Sequence, residues 1–373
     1  MALVFNEEQR LLRDTAREFL ASNAPVSQLR ALRDSRDARG YDNDTWQQMA
    51  ELGWASIILP ETYGGLDFGF MGLGAVIEES GRTLTASPLF ASVVLGASAI
   101  LLCGSEAQKE ELLPQLAAGS LSTALALEES HHHRPQQITT TATATADGFL
   151  LEGSKTFVVD GHSADLLLVV ATLDSALQLF LVPRATKGVA VTRTVMVDSR
   201  NAANIAFDGV ALPASSRLGD HHDAAELLDQ VLDRGRVALA AEMLGLAQEV
   251  FERTVRYLKE REQFGVKIGS FQALQHRAAQ LQAEIEMCRS VLMQAMTTVD
   301  ESPEQLPIIA SLAKARLNEL AKLATNEAVQ MHGGIGVTDD LEIGFFLKRA
   351  RVTMQLLGDT GFHRDRYATL SGY

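Results

Sequence analysis

Arg261-Glu262-Gln263-Phe264-Gly265-Val266-Lys267-Ile268-Gly269-Ser270-Phe271-Gln272, followed later by Gln330-Met331-His332-Gly333-Gly334-Ile335-Gly336, is the pair of stretches that decides how this chain reads. Arg261-x-x-Phe264-Gly265 falls where a long helical pattern ends. A guanidinium there can clamp a phosphate, and Phe264 can face a base or an apolar neighbour. Equally, an arginine near a helix C-terminus complements the negative end of the dipole. Gly333-Gly334-Ile335-Gly336 offers backbone that a ligand can approach closely, or a glycine stop for the helix before it. Neither stretch alone separates these readings.

Outward from the pair, Val237, Ala240, Leu244, Ala247, Phe251, Thr254 and Leu258 step by three and four, as do Leu274, Ala278, Leu281, Ile285, Cys288, Leu292 and Ala295. Two such seams joined by a glycine-containing turn describe an antiparallel helical pair. A third helix from Ile308 to Met331 completes most of a bundle. Between about 121 and 220 the period changes to two. The threonine-rich run from Thr139 to Ala146 alternates threonine and alanine from Thr141 onward, before Asp147-Gly148, a strand and hairpin signal. Strands continue at Phe149–Leu151, Thr156–Val159, Leu166–Thr172, Leu177–Val182, Val189–Thr194 and Asn204–Phe207, with turns at Gly153, Gly161, Pro183-Arg184 and Lys187-Gly188. Residues 1 to 120 read as helices again, Asn6 capping the first. The order helices, strands, helices predicts an α+β chain with domains at 1–120, 121–223 and 224–373.

A length of 373 residues with 46% hydrophobic content is too much for one core. The net charge of −14 disfavours nucleic acid and membrane surfaces, which want a basic field. Cys103 and Cys288 sit in apolar helical patterns, where reduced buried thiols are expected. No basic leader and no apolar run of ~20 residues stands out, so a soluble, cytoplasmic protein is expected.

In this order and on this frame, the two stretches resemble the acyl-CoA dehydrogenase family along essentially the entire chain, most strongly from Arg236 to Arg364. The resemblance implies an N-terminal helical domain, a middle β-barrel-like domain and a C-terminal antiparallel four-helix bundle. It implies FAD at a subunit interface of a dimer or tetramer. Arg261 matches the arginine on the FAD pyrophosphate; Phe264, Ile268, Phe271, Gln272 and Leu274 match positions around the adenosine half. Gln330, Gly333 and Gly334 match the loop that a neighbouring subunit lends to the same nucleotide.

The flavin-ring half departs from the family pattern. Where a T-E-P-G-A-G-S-D run is usual, this chain has Leu127-Glu128-Glu129-Ser130-His131-His132-His133-Arg134-Pro135, without the hydroxyl and the small glycines. The usual Trp-Ile-Thr reads Phe157-Val158-Val159. Phe157 can stack on the ring and the Val158 and Val159 N–H groups can reach its polar atoms, but Val159 replaces no hydroxyl. His131-His132-His133 and His221-His222-Asp223 lack the separated Cys and carboxylate ligands of a zinc site, and no metal is expected.

The resemblance also implies a carboxylate base that removes the proton beside the thioester. Most members carry it just before a Gly-Thr pair near the C-terminus, where Leu357-Gly358-Asp359 stands here. A minority carry it before an arginine matching Arg236, where Gly235 stands. Both positions are empty. Asp359, two residues past Leu357, and Glu242, two helical turns past Gly235, are the substitutes, each with a structural reading beside it: a helix cap or an ion pair for Asp359, a partner for a basic group for Glu242.

Three functions follow as expectations. The first is an FAD-dependent acyl-CoA dehydrogenase with a displaced base, Arg236 helping to hold the CoA moiety and electrons passing to an electron-transfer flavoprotein. The second is a base-lacking subunit of a heteromeric dehydrogenase completed by a homologous partner subunit. The third is a non-catalytic acyl-CoA-binding scaffold.

Overall fold

Asn6 begins the regular structure by capping its own helix. Its side chain accepts from the Gln9 N–H while Gln9 reaches back to the Asn6 N–H, so two otherwise orphaned donors are satisfied. A computed structural model describes residues 4–373. Helix α1 (Glu7–Asn23) is followed by α2 (Val26–Ser35), α3 (Asn43–Glu51, capped by Asp42) and α4 (Gly69–Thr83). A π-helical segment, Leu89–Ala97, runs directly into α5 (Ser98–Cys103), and a second capping box at Ser105 and Gln108 opens α6 (Glu106–Ala117).

Seven strands follow: β1 (Thr123–Ala126), β2 (Thr141–Thr145), β3 (Gly148–Val159), β4 (Leu166–Leu173), β5 (Ala176–Pro183), β6 (Val189–Val195) and β7 (Asn201–Pro213). They form one sheet in the order β1-β4-β2-β3-β7-β6, with β5 on β4. β1 runs parallel to β4, and the remaining long pairings are antiparallel. Leu151, Leu167, Val169, Phe180, Ile205 and Val210 are among the buried side chains that form its core.

Asp223 starts the last helical region, accepting from the Ala225 N–H. Helix α7 (Ala225–Glu260) continues to the hairpin of β8 (Glu262–Gln263) and β9 (Val266–Lys267). Then come α8 (Gln272–Glu301), α9 (Leu306–His332, with proline in its first turn), α10 (Ile343–Gln355) and α11 (Thr360–Leu370). The seams that the three-and-four spacing picked out are buried: Val237, Ala240, Leu244 and Ala247 on α7, and Leu281, Ile285, Cys288 and Leu292 on α8. No helix among the described residues is long and apolar enough to cross a membrane.

Contacts divide the chain into two units, one of Met1–Ala31, Phe70–Thr85 and Arg236–Tyr373, the other of Leu32–Gly69 and Ala86–Gly235. The architecture is the expected mixed one of helical, β and helical regions. One local expectation changes. Gly153 does not end a strand: β3 runs through it with φ +138 and a register shift, so it is a bulge. The short β1 and the π-helical segment carry no period long enough to be read in advance.

In the first unit, α4 and α7 touch backbone to backbone. A Cβ on Gly81 would lie 2.1 Å from the Glu242 carbonyl oxygen, and one on Gly245 would lie 1.7 Å from that of Glu78. The glycines are reciprocal, so neither helix can accept a side chain without moving the other. Gly245→Ala should lower stability by about 1–3 kcal/mol, the range for overpacking a closed core. Chemical denaturation of the variant beside the parent checks this, and an unchanged midpoint would mean that the two helices slide freely.

Candidate active site

The end of α7 presents the first stretch. Arg261 ends the helix with its N–H on Tyr257 O at 2.8 Å, and its own carbonyl accepts from Ile268 N at 2.9 Å. The guanidinium is exposed and has no side-chain partner among the described residues. Phe264 and Gly265 both have positive φ, +55 and +78, as a two-residue hairpin loop needs to match the strand twist. This turn holds the Phe264 ring out, 92% exposed, with its edge toward Phe271 at 6.1 Å. Gln272 is exposed, and Ile268 and Leu274 are half-buried.

The second stretch follows α9. Gly333 caps the helix with φ +64, which accounts for that glycine. Gly334 is different: it has no such φ, and a Cβ there would meet nothing within 4 Å. The chain's own packing therefore gives no reason for it, as expected where another molecule's backbone or phosphate comes close. Gln330 is exposed beside it. The two stretches are joined at their roots, where the Tyr257 ring stacks on His332 with centroids 4.4 Å apart.

Arg236 is completely buried. Its Nε donates to Leu357 O at 3.4 Å, and its guanidinium stands 5.7 Å from the Phe362 ring centre. Any effect of Arg236 on a CoA thioester would thus pass through the turn at Leu357 rather than through direct exposure. That turn is held from beneath. Lys314 Nζ, also fully buried, donates to Asn318 Oδ1 at 2.8 Å, Thr353 O at 2.9 Å and Gly358 O at 3.1 Å. His363 Nε2 meets Leu357 O at 3.0 Å. Burial first, then the Lys314 and Arg236 cations, push His363 down to about 2, so it stays neutral. Burial likewise pushes Lys314 well down. Leu357 itself has φ +56, a strained conformation for a leucine.

Both structural readings set beside the candidate bases are realised. Glu242 is buried, and Arg349 takes both of its oxygens, Nε to Oε1 at 2.7 Å and Nη2 to Oε2 at 2.8 Å. Asp359 is exposed and caps α11, Oδ1 accepting from Phe362 N at 2.8 Å. Its second oxygen has no hydrogen bond among the described residues.

In the other unit, β3 carries Phe157 through a bulge between Lys155 and Val158. Val158 and Val159 then pair with Ala203 and Ala202 of β7. Antiparallel pairing turns alternate N–H groups into the ladder, so at most one of these two adjacent groups is open to a ligand. The loop that replaces the glycine-rich run is packed rather than bare. Glu129 accepts from Lys155 Nζ at 2.7 Å and from the N–H and hydroxyl of both Thr139 and Thr140. Burial pushes its carboxyl up, but those hydrogen bonds outweigh burial and hold it at about 2. Chiefly through burial, Lys155 falls to about 8. The other histidine run is structural too, with His221 Nε2 on Cys103 O and Asp223 at the start of α7. Among the described residues no cluster of three metal-type ligands occurs.

Sequence reasoning missed Lys314, His363 and the Lys155–Glu129 pair. A lysine at position 314, on a seam with Ala310, Ala313 and Leu317, is the signal that was there to read.

Three domain models of the acyl-CoA dehydrogenases match, the N-terminal domain at residues 6–120, the middle domain at 124–210 and the C-terminal domain at 225–369. Mitochondrial isovaleryl-CoA dehydrogenase of Pongo abelii is 30% identical, over 93% of this chain and 84% of its own. The Tcur3481-Tcur3483 steroid ACAD, solved as a variant, is 34% identical with a TM-score of 0.89, covering 98% of each chain. The ChsE4-ChsE5 complex from Mycobacterium tuberculosis is 28% identical with a TM-score of 0.91 over the whole of both chains. The chain belongs to the acyl-CoA dehydrogenase family. It is an FAD-dependent oxidoreductase of that type, and the exposed Arg261 and the unexplained Gly334 fit the nucleotide end of that cofactor.

The Glu129 carboxyl lies below its ordinary value of 4.5 in the folded chain. Its stabilising share is therefore complete above about pH 4.5 and is lost as the pH falls toward 2. Glu129→Gln should melt below the parent near neutrality, and the gap should narrow through that acid window. Melting curves at a series of pH values check this; a gap of constant width would assign the stabilisation to other groups.

Proposed function

We propose that this chain takes part in α,β-dehydrogenation of an acyl-CoA thioester as one subunit of a two-component dehydrogenase whose proton-abstracting carboxylate comes from a homologous partner chain. One observation carries the reading: neither base position of the family bears a carboxylate here, and Glu242 is committed to Arg349. The similarity to a complex named for two chains, ChsE4-ChsE5, supports it. FAD, when bound, supplies the acceptor for the hydride that leaves the β-carbon, and an electron-transfer flavoprotein takes the electrons onward.

This chain's own residues have distinct parts in that reading. Arg261 pairs with the pyrophosphate, and Phe264, Ile268, Phe271, Gln272 and Leu274 surround the adenosine half. Gln330, Gly333 and Gly334 give backbone to the nucleotide of a neighbouring subunit. Phe157 lies against the flavin ring, with the Val158–Val159 backbone beside it. Arg236 and Lys314 fix the turn at Leu357 from below, which sets where residue 357 points.

A second reading is favoured by one detail: Asp359 is exposed and keeps one oxygen free of hydrogen bonds. In that reading Asp359 is the base and the chain acts alone.

Visible absorbance and anaerobic bleaching by a panel of acyl-CoAs separate these readings. The two-component reading expects a yellow protein that does not bleach alone and bleaches once a homologue carrying the glutamate is added. Bleaching by the isolated chain that disappears in Asp359→Asn would replace it with the second reading. A protein that stays colourless with excess FAD would leave only an acyl-CoA-binding scaffold. Because the turn at 357 is already fixed, Leu357→Glu should let the isolated chain bleach with an acyl-CoA where the parent alone does not.

A further inference from the structure

The hairpin of β8 and β9 and the loop after α9 both stand in solvent. Residues 261–267 are exposed throughout, and so are Gly333, Gly334 and Ile335. What seats them lies underneath. Lys267 Nζ donates to Glu260 O at 3.0 Å, and a Cβ on Gly269 would lie 2.8 Å from Leu258 O, so the chain leaving the hairpin lies flat on the last turn of α7. The second loop is seated on His332: Gly333 follows it directly, and a Cβ on Gly336 would lie 2.9 Å from His332 Cβ. Tyr257 joins the two seats. It precedes Arg261 by one turn of α7, its ring stacks on His332 with the planes 29° apart, and its hydroxyl donates to His332 O at 3.4 Å. His332 cannot turn away, because its ring is buried and its Nδ1 donates to Ala328 O at 2.7 Å. Burial, offset in part by that bond, keeps its pKa below the ordinary value, so the stacked ring is a neutral imidazole.

A root of this kind fixes relative placement. Arg261 and Gly334 stand on the ends of two helices that are remote in sequence, and without a tie each would sway with its own helix end. A second tie, Arg253 Nη1 to Glu342 Oε2 at 2.6 Å, fastens α7 to the far end of the loop, just before α10. The Tyr257 stack fastens the near end, directly below the glycines. A ligand that needs both stretches binds only the fraction of molecules in which they are correctly placed, and its affinity falls with that fraction.

We infer that Tyr257 is a positioning residue for the ADP half of the cofactor: its ring, stacked on His332, holds Arg261 and the Gly333–Gly334 backbone in the arrangement that the nucleotide needs. The inference rests on the reading that both stretches address that half, and it adds a residue that acts through them. The hydroxyl's hydrogen bond is long and therefore weak, so the stacked ring carries the effect.

The test titrates the flavin-free full chain with FAD and reads the dissociation constant by flavin fluorescence. Tyr257→Leu should weaken binding about tenfold, the upper end of what a stacked aromatic pair contributes. Tyr257→Phe, which keeps the ring, should bind like the parent. A double-mutant cycle with Arg261→Lys, which keeps the charge and loses the guanidinium fork, separates positioning from general loosening. Beside Arg261→Lys the loss from Tyr257→Leu should shrink to about threefold or less, because the placement of that group then matters less. A tenfold loss that persists in full would assign the effect to loosening of the fold and overturn the inference. Parental affinity in Tyr257→Leu would overturn it too, as would Tyr257→Phe binding as weakly as Tyr257→Leu; all three leave the flavoprotein reading intact. Should Tyr257→Leu fail to fold, His332→Leu, which removes the other half of the stack, is read against the same outcomes. A parent that binds no FAD would overturn the flavoprotein reading and the inference together.

Discussion

A lysine nitrogen buried away from water needs oxygen partners, and the turn at Leu357 in the helical unit is arranged around providing them. Lys314 reaches from the middle of α9 to the carbonyls of Thr353 and Gly358 and to Asn318. Leaving a buried amino group without hydrogen-bond partners costs more than bending a short loop, so the loop conforms to the lysine. The end of α10, the left-handed Leu357 and the start of α11 at Asp359 all follow from where that nitrogen sits. Arg236 and His363 fasten the same turn through the Leu357 carbonyl. A leucine gains nothing from a positive φ. The conformation belongs to the frame, and the side chain standing in it is incidental to how the frame holds together.

The sheet unit repeats the device on a smaller scale. Lys155 and Glu129 bury opposite charges against each other, and threonine hydroxyls and backbone complete the carboxylate's hydrogen bonds. Removing one member of such a pair leaves the other stranded, whereas the intact pair fixes the loop beside it. In both units a lysine on a regular element secures an irregular segment.

The sequence disclosed the elements with long, regular periods. The seams of α7 and α8 needed only three-and-four spacing, and the β region announced itself by alternation. Arg261 and the paired glycines after α9 were legible only as a pair in that order, since each residue type alone also serves a helix end. What stayed hidden was contact across long sequence separation. That Glu242 would meet Arg349, or Lys314 the carbonyl of Gly358, depends on how helices cross, and no local pattern encodes a crossing. Gly153 misled for a related reason, since a glycine in a bulge and one in a turn look alike until the partner strand is known.

Leu89–Ala97, wound as a π-helix, has a consequence for how this family member can change length. Bonding from each residue to the fifth beyond it leaves a slack residue in the coil. Losing one residue there would tighten the winding to the ordinary pitch while the flanking Pro88 and Ser98 kept their places. Insertions and deletions, which elsewhere in a buried helix rotate everything downstream, have at this one spot a built-in tolerance.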